Sequence, residues 1–231
     1  RALKGHVTDL GNLQFKGDDT LKLSFHTETT AKILVFVTSG KVYTLDASKL
    51  PGGRGFGDPV RLLVDIDEGA EIVTAWPHKA GEKLLFASSV GRGFIALSDD
   101  TIANTKKGRH VLTLYDRETA RFVVPVEGDH VAAIGENRKL LCFPLSQMVE
   151  MARGKGNKLF NIPSAKAEAR TELVVGVAVV APGSRLRIVC GERAMSLSYA
   201  ELGEYRGERS QRGAMLPKTY RRVTSLEVDA S

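Results

Sequence analysis

The stretch ILVFVTSGKVYTLDASKL, residues 33–50, contains an apolar segment, a short polar turn with one glycine, and a second segment in which apolar and polar residues alternate. Alternation with a period of two is typical of a β-strand, and glycine permits the positive φ that a tight hairpin turn needs. This stretch therefore predicts a β-hairpin whose turn lies near Gly40.

Three further stretches repeat the pattern, namely LLFASSVGRGFIALSDDTI (84–102), VAAIGENRKLLCFPLSQM (131–148) and LRIVCGERAMSLSYAEL (186–202). Their predicted turns lie near Gly91, Asn137 and Glu192, and a less regular unit opens the chain. These turns are 46 to 55 residues apart. A repeat of this length is typical of a β-propeller, in which each four-stranded blade packs against its neighbours. We therefore expect a single all-β, propeller-like domain over residues 1–231, with about five four-stranded blades at roughly 1–30, 31–80, 81–127, 128–182 and 183–231.

Composition narrows the classes of protein to consider. Hydrophobic residues make up 42% of the 231 residues, and no apolar run is long enough to span a membrane, so we expect a cytoplasmic protein. The two cysteines, Cys142 and Cys190, have apolar neighbours and are predicted to be reduced core thiols, although the sequence leaves a disulfide open. The five histidines show no ligand spacing, so we predict no metal site and no cofactor.

Positive charge is concentrated in four glycine-containing loops, one after each hairpin. We call them the first to fourth basic loops: PGGRGFGDPVRLLV (51–64), NTKKGRHVL (104–112), ARGKGNK (152–158) and RGERSQRGAMLPKTYRR (206–222). They carry formal charges of +1, +3, +3 and +5, together +12, whereas the whole chain carries +6 and its remainder therefore −6. Equivalent loops of a repeat array share one rim, so we predict a curved positive band that suits nucleic acid.

The residue types in these loops favour duplex DNA held through its phosphates. Lysine and arginine neutralise phosphates, and glycine lets backbone N–H groups approach them. Only Phe56 and Tyr220 could stack on single-stranded bases, and no helix suited to reading the major groove is present, so we predict weak sequence preference. The predicted DNA-binding residues are Arg54, Lys106, Lys107, Arg109, Arg153, Lys155, Lys158, Arg212 and Lys218.

Other motifs carry weaker signals. GRGFG at 53–57 lacks the strand–loop–helix setting of a nucleotide site, and the acidic cluster in VDIDEGAE is more typical of a solvated turn than of a metal site. Because no catalytic constellation is visible, we predict that this chain is not itself an enzyme. A protein-interaction β-propeller that docks a partner protein is the alternative from another functional class.

The stretches RALKGHVTDLGNLQFKGDD, KILVFVTSGKVYTLDASKLPGGRGFG and VEGDHVAAIGENRKLLCFPLSQMVEMARGKG resemble the C-terminal domain of the A subunit of bacterial type IIA topoisomerases. The resemblance implies a β-pinwheel, a propeller-like disc with altered strand connections, whose outer edge binds and bends duplex DNA. The glutamine-arginine-arginine-glycine-glycine-lysine-glycine box of the gyrase branch is incomplete here, with RGKG at 153–156 among the nearest matches. The chain therefore looks more like the A subunit of topoisomerase IV, while a gyrase A wrapping domain remains an alternative.

The resemblance also implies a role within a longer, ATP-dependent enzyme. The family's active-site tyrosine lies in an upstream domain, so none of the five tyrosines here inherits that role. The implied function is to select DNA geometry, such as supercoils and crossings, for strand passage during decatenation and chromosome segregation. The implied partners, all at the nucleoid, are duplex DNA, the N-terminal cleavage domain of the same polypeptide, a chromosome-organising protein and the topoisomerase B subunit.

Overall fold

A computed structural model describes residues 2–53, 55–169 and 171–229, and most of its regular structure is β-strand. The strands, in chain order, are β1 (Lys32–Val37), β2 (Lys41–Asp46), β3 (Ile72–Pro77), β4 (Lys83–Ser88), β5 (Arg92–Leu97), β6 (Arg109–His110), β7 (Ala120–Pro125), β8 (His130–Gly135), β9 (Lys139–Pro144), β10 (Asn157–Lys158), β11 (Val174–Val180), β12 (Arg185–Cys190), β13 (Arg193–Ser198), β14 (Ala214–Met215) and β15 (Ser225–Asp229). The helices are α1 (Ser164–Glu168) and 3₁₀ turns at Ala47–Lys49, Val60–Leu62, Ser98–Thr101, Leu145–Gln147 and Glu201–Tyr205. None of the helices in these ranges is long enough to cross a membrane.

The strands form four antiparallel sheets, which confirms the all-β prediction. Their spatial orders are β3-β1-β2-β6, β10-β5-β4-β7, β11-β8-β9-β14 and β13-β12-β15. Each sheet is built on one of the four predicted hairpins, and the turns lie at the predicted positions. Gly40 and Gly91 adopt φ values of 84° and 74°, whereas in the third turn Arg138, rather than Asn137, takes the positive φ.

Successive sheets exchange strands along the chain. After the hairpin β4–β5, the chain forms β6, which pairs with β2 of the first sheet. It then forms β7, which pairs with β4 of its own sheet. The third and fourth units do the same with β10 and β14. A strand of only two residues has no periodic signature, so the sequence pattern did not reveal this exchange.

Hydrophobic cores fill the spaces between neighbouring sheets. One face of the first sheet packs against the second sheet through Leu34 and Phe36, opposite Phe86 and Phe94. Equivalent clusters join the second sheet to the third and the third to the fourth. Half-buried Trp76 belongs to the first of these cores and lies edge-on to Phe86, with ring centroids 6.4 Å apart.

The described structure has four sheets where the sequence predicted about five blades, and the fourth sheet has three strands. Residues 2–31 contribute no strand, and Phe15, Leu21 and Phe25 of this segment remain exposed. The physical reason lies in the first sheet. Its outer face, which a preceding blade would cover, is covered by apolar side chains of the same unit, drawn from residues 47–70.

Both cysteines are free thiols. Cys142 lies in β9 inside the core between the third and fourth sheets, and its burial raises the pKa of the thiol to about 11. Cys190, at the end of β12, is half-buried, and burial also raises its pKa. A high pKa keeps a thiol protonated and unreactive, in agreement with the predicted structural role.

Candidate nucleic-acid interface

Three of the four basic loops occupy the same place in the repeat, because each supplies the strand that completes the edge of the preceding sheet. In the second loop His110 pairs with Lys41, in the third Lys158 pairs with Arg92, and in the fourth Met215 pairs with Lys139. In each loop, one or both of the two residues after the short strand donate a backbone N–H to the neighbouring sheet. The acceptor is the carbonyl oxygen of the residue just before the paired strand, at 2.8–3.1 Å. The predicted repetition of the loops is thus a real structural repetition.

One glycine in each of these three loops permits the close approach to the neighbouring sheet. Gly108, Gly156 and Gly213 all adopt positive φ, at 74°, 66° and 75°. A Cβ added at Gly213 would lie 2.5 Å from the carbonyl oxygen of Leu140, and one at Gly156 would overlap the backbone of Gly93. The sequence suggested that glycine opens the backbone to phosphates, but at these positions the structure shows a packing requirement.

Exposed cations flank these glycines. Lys106, Lys107 and Arg109 are exposed in the second loop, Arg153 and Lys155 in the third, and Lys218 in the fourth, while Lys158 is half-buried. Within the described ranges, none of these seven side chains forms an ion pair with a carboxylate. Their positive charge is therefore not neutralised locally and remains available to an anionic partner. Arg54 of the first loop lies outside the described residues.

No protein-family model matches the chain, but individual relatives and structures do. The A subunit of DNA topoisomerase 4 from Caulobacter vibrioides is 37% identical over 220 residues, which are 95% of this chain and 28% of the relative. Its counterpart from Escherichia coli is 31% identical over the full chain and 31% of its own length. The solved C-terminal domain of Escherichia coli ParC matches with a TM-score of 0.88 and 30% identity, over 100% of this chain and 94% of that domain. This chain belongs to the family of C-terminal domains of the topoisomerase IV A subunit.

The family match confirms the resemblance seen in the sequence and, with it, the β-pinwheel fold. A C-terminal domain of DNA topoisomerase IV and one of DNA gyrase A, each 18% identical, give TM-scores of 0.70 and 0.68 over 87% of this chain and show the same fold. The chain spans about three tenths of the length of the relative from Caulobacter vibrioides.

Arg212 of this topoisomerase IV domain differs from the other predicted contacts. Its guanidinium donates to the carbonyl oxygen of Asn161 and forms an ion pair with Glu172, both at 2.7 Å. The Glu172 side chain is only 3% exposed and also accepts from Asn137 at 2.9 Å. Arg212 therefore neutralises a buried carboxylate, which favours a structural role over the DNA contact that the sequence suggested.

Sequence reasoning missed two residues that lie beside the third loop. The guanidinium carbon of Arg92 and the Nζ of Lys155 lie 4.9 Å and 4.1 Å from the ring centroid of Tyr115. Arg92 is also directly opposite Lys158 in the β5–β10 pair. Two cations thus contact one exposed aromatic ring, and a third lies beside one of them in the paired strand. A repeated cation at the start of each second hairpin strand, seen at Lys41, Arg92, Lys139 and Arg193, was the available sequence signal.

One carboxylate, that of Glu118, lies within electrostatic reach of Arg92 and Lys155. Glu118 accepts a hydrogen bond from the backbone N–H of Tyr115 at 3.2 Å. Burial raises the pKa of Glu118, and this shift is opposed by the nearby positive charges of Arg92 and Lys155. The cation–π contacts hold the lysine and arginine side chains close together, so this part of the surface presents pre-ordered positive charge.

Asp67, in the acidic stretch VDIDEGAE, has a structural role. Asp67 accepts from the Nζ of Lys41 at 2.7 Å and from the hydroxyl of Ser39 at 3.2 Å. The hydrogen bond from Lys41 is the main cause that holds the pKa of Asp67 below its usual range. No group of three potential metal ligands occurs among the residues that the structure describes. These contacts tie the segment before β3 to the first hairpin.

Proposed function

We propose that this domain binds duplex DNA through its phosphates along the second and third basic loops, with a contribution from Lys218 in the fourth. The observation that carries the proposal is the repeated placement of exposed cations, with no ion-pair partner among the described residues, in loops whose short strands complete successive sheet edges. A duplex that follows this edge would meet Lys106, Lys107 and Arg109 and then Arg153, Lys155 and Lys158. Such contacts position DNA without reading its sequence.

The chain's own chemistry supports a binding role rather than a catalytic one. The cation groups lie on loops, with no paired nucleophile and base beside them in the described ranges, and we assign strand cleavage to another part of the longer polypeptide. In that enzyme, which we propose to be a topoisomerase IV, the domain holds a DNA segment so that supercoils or crossings are presented for strand passage. The partners would be the B subunit together with the cleavage domain of the same polypeptide, at the nucleoid in the cytoplasm.

Salt dependence of DNA binding tests the proposal. Each phosphate contact that is lost should reduce the slope of log affinity against log salt by about 0.9. We therefore expect Arg153→Ala/Lys155→Ala/Lys158→Ala to reduce the slope by about 2–3, with equal weakening for duplexes of different sequence. Fluorescence anisotropy with labelled linear duplex, measured from low to physiological salt, gives the slope.

A matched control removes the same net charge elsewhere. Lys49, Lys83 and Arg187 each pair with a carboxylate outside the basic loops, so Lys49→Ala/Lys83→Ala/Arg187→Ala should change the slope by less than about 1. Circular dichroism would verify that both variants keep the β fold. If the two triple variants gave the same slope as the parent chain, the third loop would not contact phosphates and the proposal would be wrong.

A further inference from the structure

The fourth sheet lacks the edge strand that each of the other three sheets has. Strand β13 forms one edge of the three-stranded sheet β13-β12-β15, and no strand in the described ranges pairs with its outer side. The corresponding strands β2, β5 and β9 are covered by β6, β10 and β14. An uncovered edge presents unpaired backbone N–H and C=O groups and can accept another extended segment.

The pairing register between β12 and β13 shows which backbone groups of β13 point away from β12. Because Cys190 and Arg193 flank the hairpin turn and pair directly, Arg193, Met195 and Leu197 direct their backbone groups toward β12. The N–H and C=O groups of Ala194 and Ser196 therefore point to the open side. The next outward group, the N–H of Ser198, is already bonded to Glu201 at 2.7 Å. The open site thus extends from the turn to Ser196.

This edge lacks the features that usually protect an exposed strand. The strand reads RAMSLS, contains no proline, and pairs with β12 over six positions without a bulge. The only charged residue in it is Arg193 at the turn. The side chains of Ala194 and of Val189, its cross-strand partner, project from the same face and form a small apolar patch beside the open site. The edge is therefore accessible and chemically suited to strand addition.

The three occupied edges show what kind of segment fits. Each donated segment has a cation, a glycine, two strand residues and then an aliphatic residue: KGRHV at 107–111, KGNKL at 155–159 and RGAML at 212–216. The glycine has positive φ, the two following residues form the strand, and Val111, Leu159 and Leu216 are buried. The pairing always uses the first two residues of the acceptor strand, which in β13 are Arg193 and Ala194.

We propose that the outer edge of β13 is a docking site for an extended protein segment of the cation–glycine–x–x–aliphatic class. The two residues after the glycine pair with Arg193 and Ala194, and the aliphatic side chain rests on the patch formed by Val189 and Ala194. Backbone hydrogen bonds supply most of the attraction, while the glycine and the aliphatic position give selectivity. This site is separate from the basic loops and does not depend on the proposed DNA binding.

A peptide with the sequence of residues 105–113, TKKGRHVLT, tests the proposal because it carries one of the three native motifs. We expect it to bind the whole 231-residue chain and to slow amide hydrogen exchange at Ala194, whose outward N–H takes part in the proposed pairing. The same peptide N-methylated at the positions of Val111 and Leu112 lacks the two N–H groups that bond to Gly40 in the native pair. It should bind at least about tenfold more weakly.

Variants of the acceptor strand give a matched pair. Ala194→Pro removes the outward N–H at an edge position where proline is tolerated, whereas Ala194→Val keeps it. We expect Ala194→Pro to bind the peptide at least about tenfold more weakly than Ala194→Val, with both variants unfolding at similar temperatures. Equal binding by the two variants would overturn the proposal. So would exchange that changes only at Val111 and Leu112, since the peptide would then be displacing β6 from the first sheet.

Discussion

Arg212 differs from the cations that we propose contact DNA because it pairs with the buried carboxylate of Glu172. Arg212 resembles its neighbours in sequence because it precedes a glycine in a basic loop, just as Lys107 and Lys155 do. Its partner, Glu172, lies 40 residues away, and no local pattern connects the two. The sequence places positive charge in the basic loops, but it could not show which cation pairs with Glu172, because that depends on tertiary packing.

The role of Arg212 can be measured separately from DNA binding. Arg212→Met would leave Glu172 buried with only Lys166 and Asn137 as polar partners among the described side chains. We expect the free energy of unfolding to fall by about 2–3 kcal/mol, somewhat less than for a fully buried pair because the Arg212 side chain is 26% exposed. Urea denaturation monitored by circular dichroism measures this loss.

A second substitution at the partner tests whether the ion pair is the cause. In Arg212→Met/Glu172→Gln the buried charge is also removed, so we expect a smaller loss of stability than the sum of the two single losses. The salt slope of DNA binding for Arg212→Met should stay within about 1 of the parent value. A large drop in that slope at unchanged stability would mean that Arg212 contacts DNA after all.

At the scale of elements, the repeat is held together by two-residue strands anchored by glycine. The hairpins could be predicted because alternation and turn glycines leave a local signature, and all four lie at the predicted positions. The donated strands could not, because apolar residues after them, such as Leu159 and Phe160, resemble the start of a longer strand. In the structure these two side chains are buried in the core between the second and third sheets.

The anchoring glycine of the third loop should be essential to its sheet. Gly156→Ala places a Cβ against the backbone of Gly93 and keeps a non-glycine residue at a φ of 66°. We expect a loss of at least about 2 kcal/mol in the free energy of unfolding, because neither the clash nor the strain can relax without separating β10 from β5. Urea denaturation gives the value.

Gly203 provides the comparison for that substitution. A Cβ there meets no atom within 4 Å, and Gly203 is not among the glycines with positive φ. Gly203→Ala should therefore be neutral or stabilise the domain by up to about 1 kcal/mol. If both alanine variants were equally stable, the third loop would not be anchored as the structure shows.

The whole molecule is held together by hydrophobic cores between neighbouring sheets. The opening segment, residues 2–31, adds no sheet to this stack. The sequence favours a blade in the opening unit because apolar residues recur there, yet residues 2–31 form no strand and Phe15, Leu21 and Phe25 are exposed. The number of sheets depends on which face each apolar side chain covers, and periodicity does not contain that information. The outer face of the first sheet is covered by residues of its own unit, including Ala47, Val64 and Ala70.

This arrangement predicts that the four sheets fold without residues 1–26. The described contacts of that segment include a bridge between Ala2 and Gly52 and a hydrogen bond from Lys22 to the carbonyl of Ile72. Both are exposed at one end, so their loss should lower the midpoint of thermal unfolding by no more than a few degrees. The fluorescence of Trp76, which packs between the first two sheets, should keep its emission maximum and follow the same single transition as circular dichroism. A chain starting at Thr27 that unfolded or lost the Trp76 signal at room temperature would show that the opening segment is part of the first core.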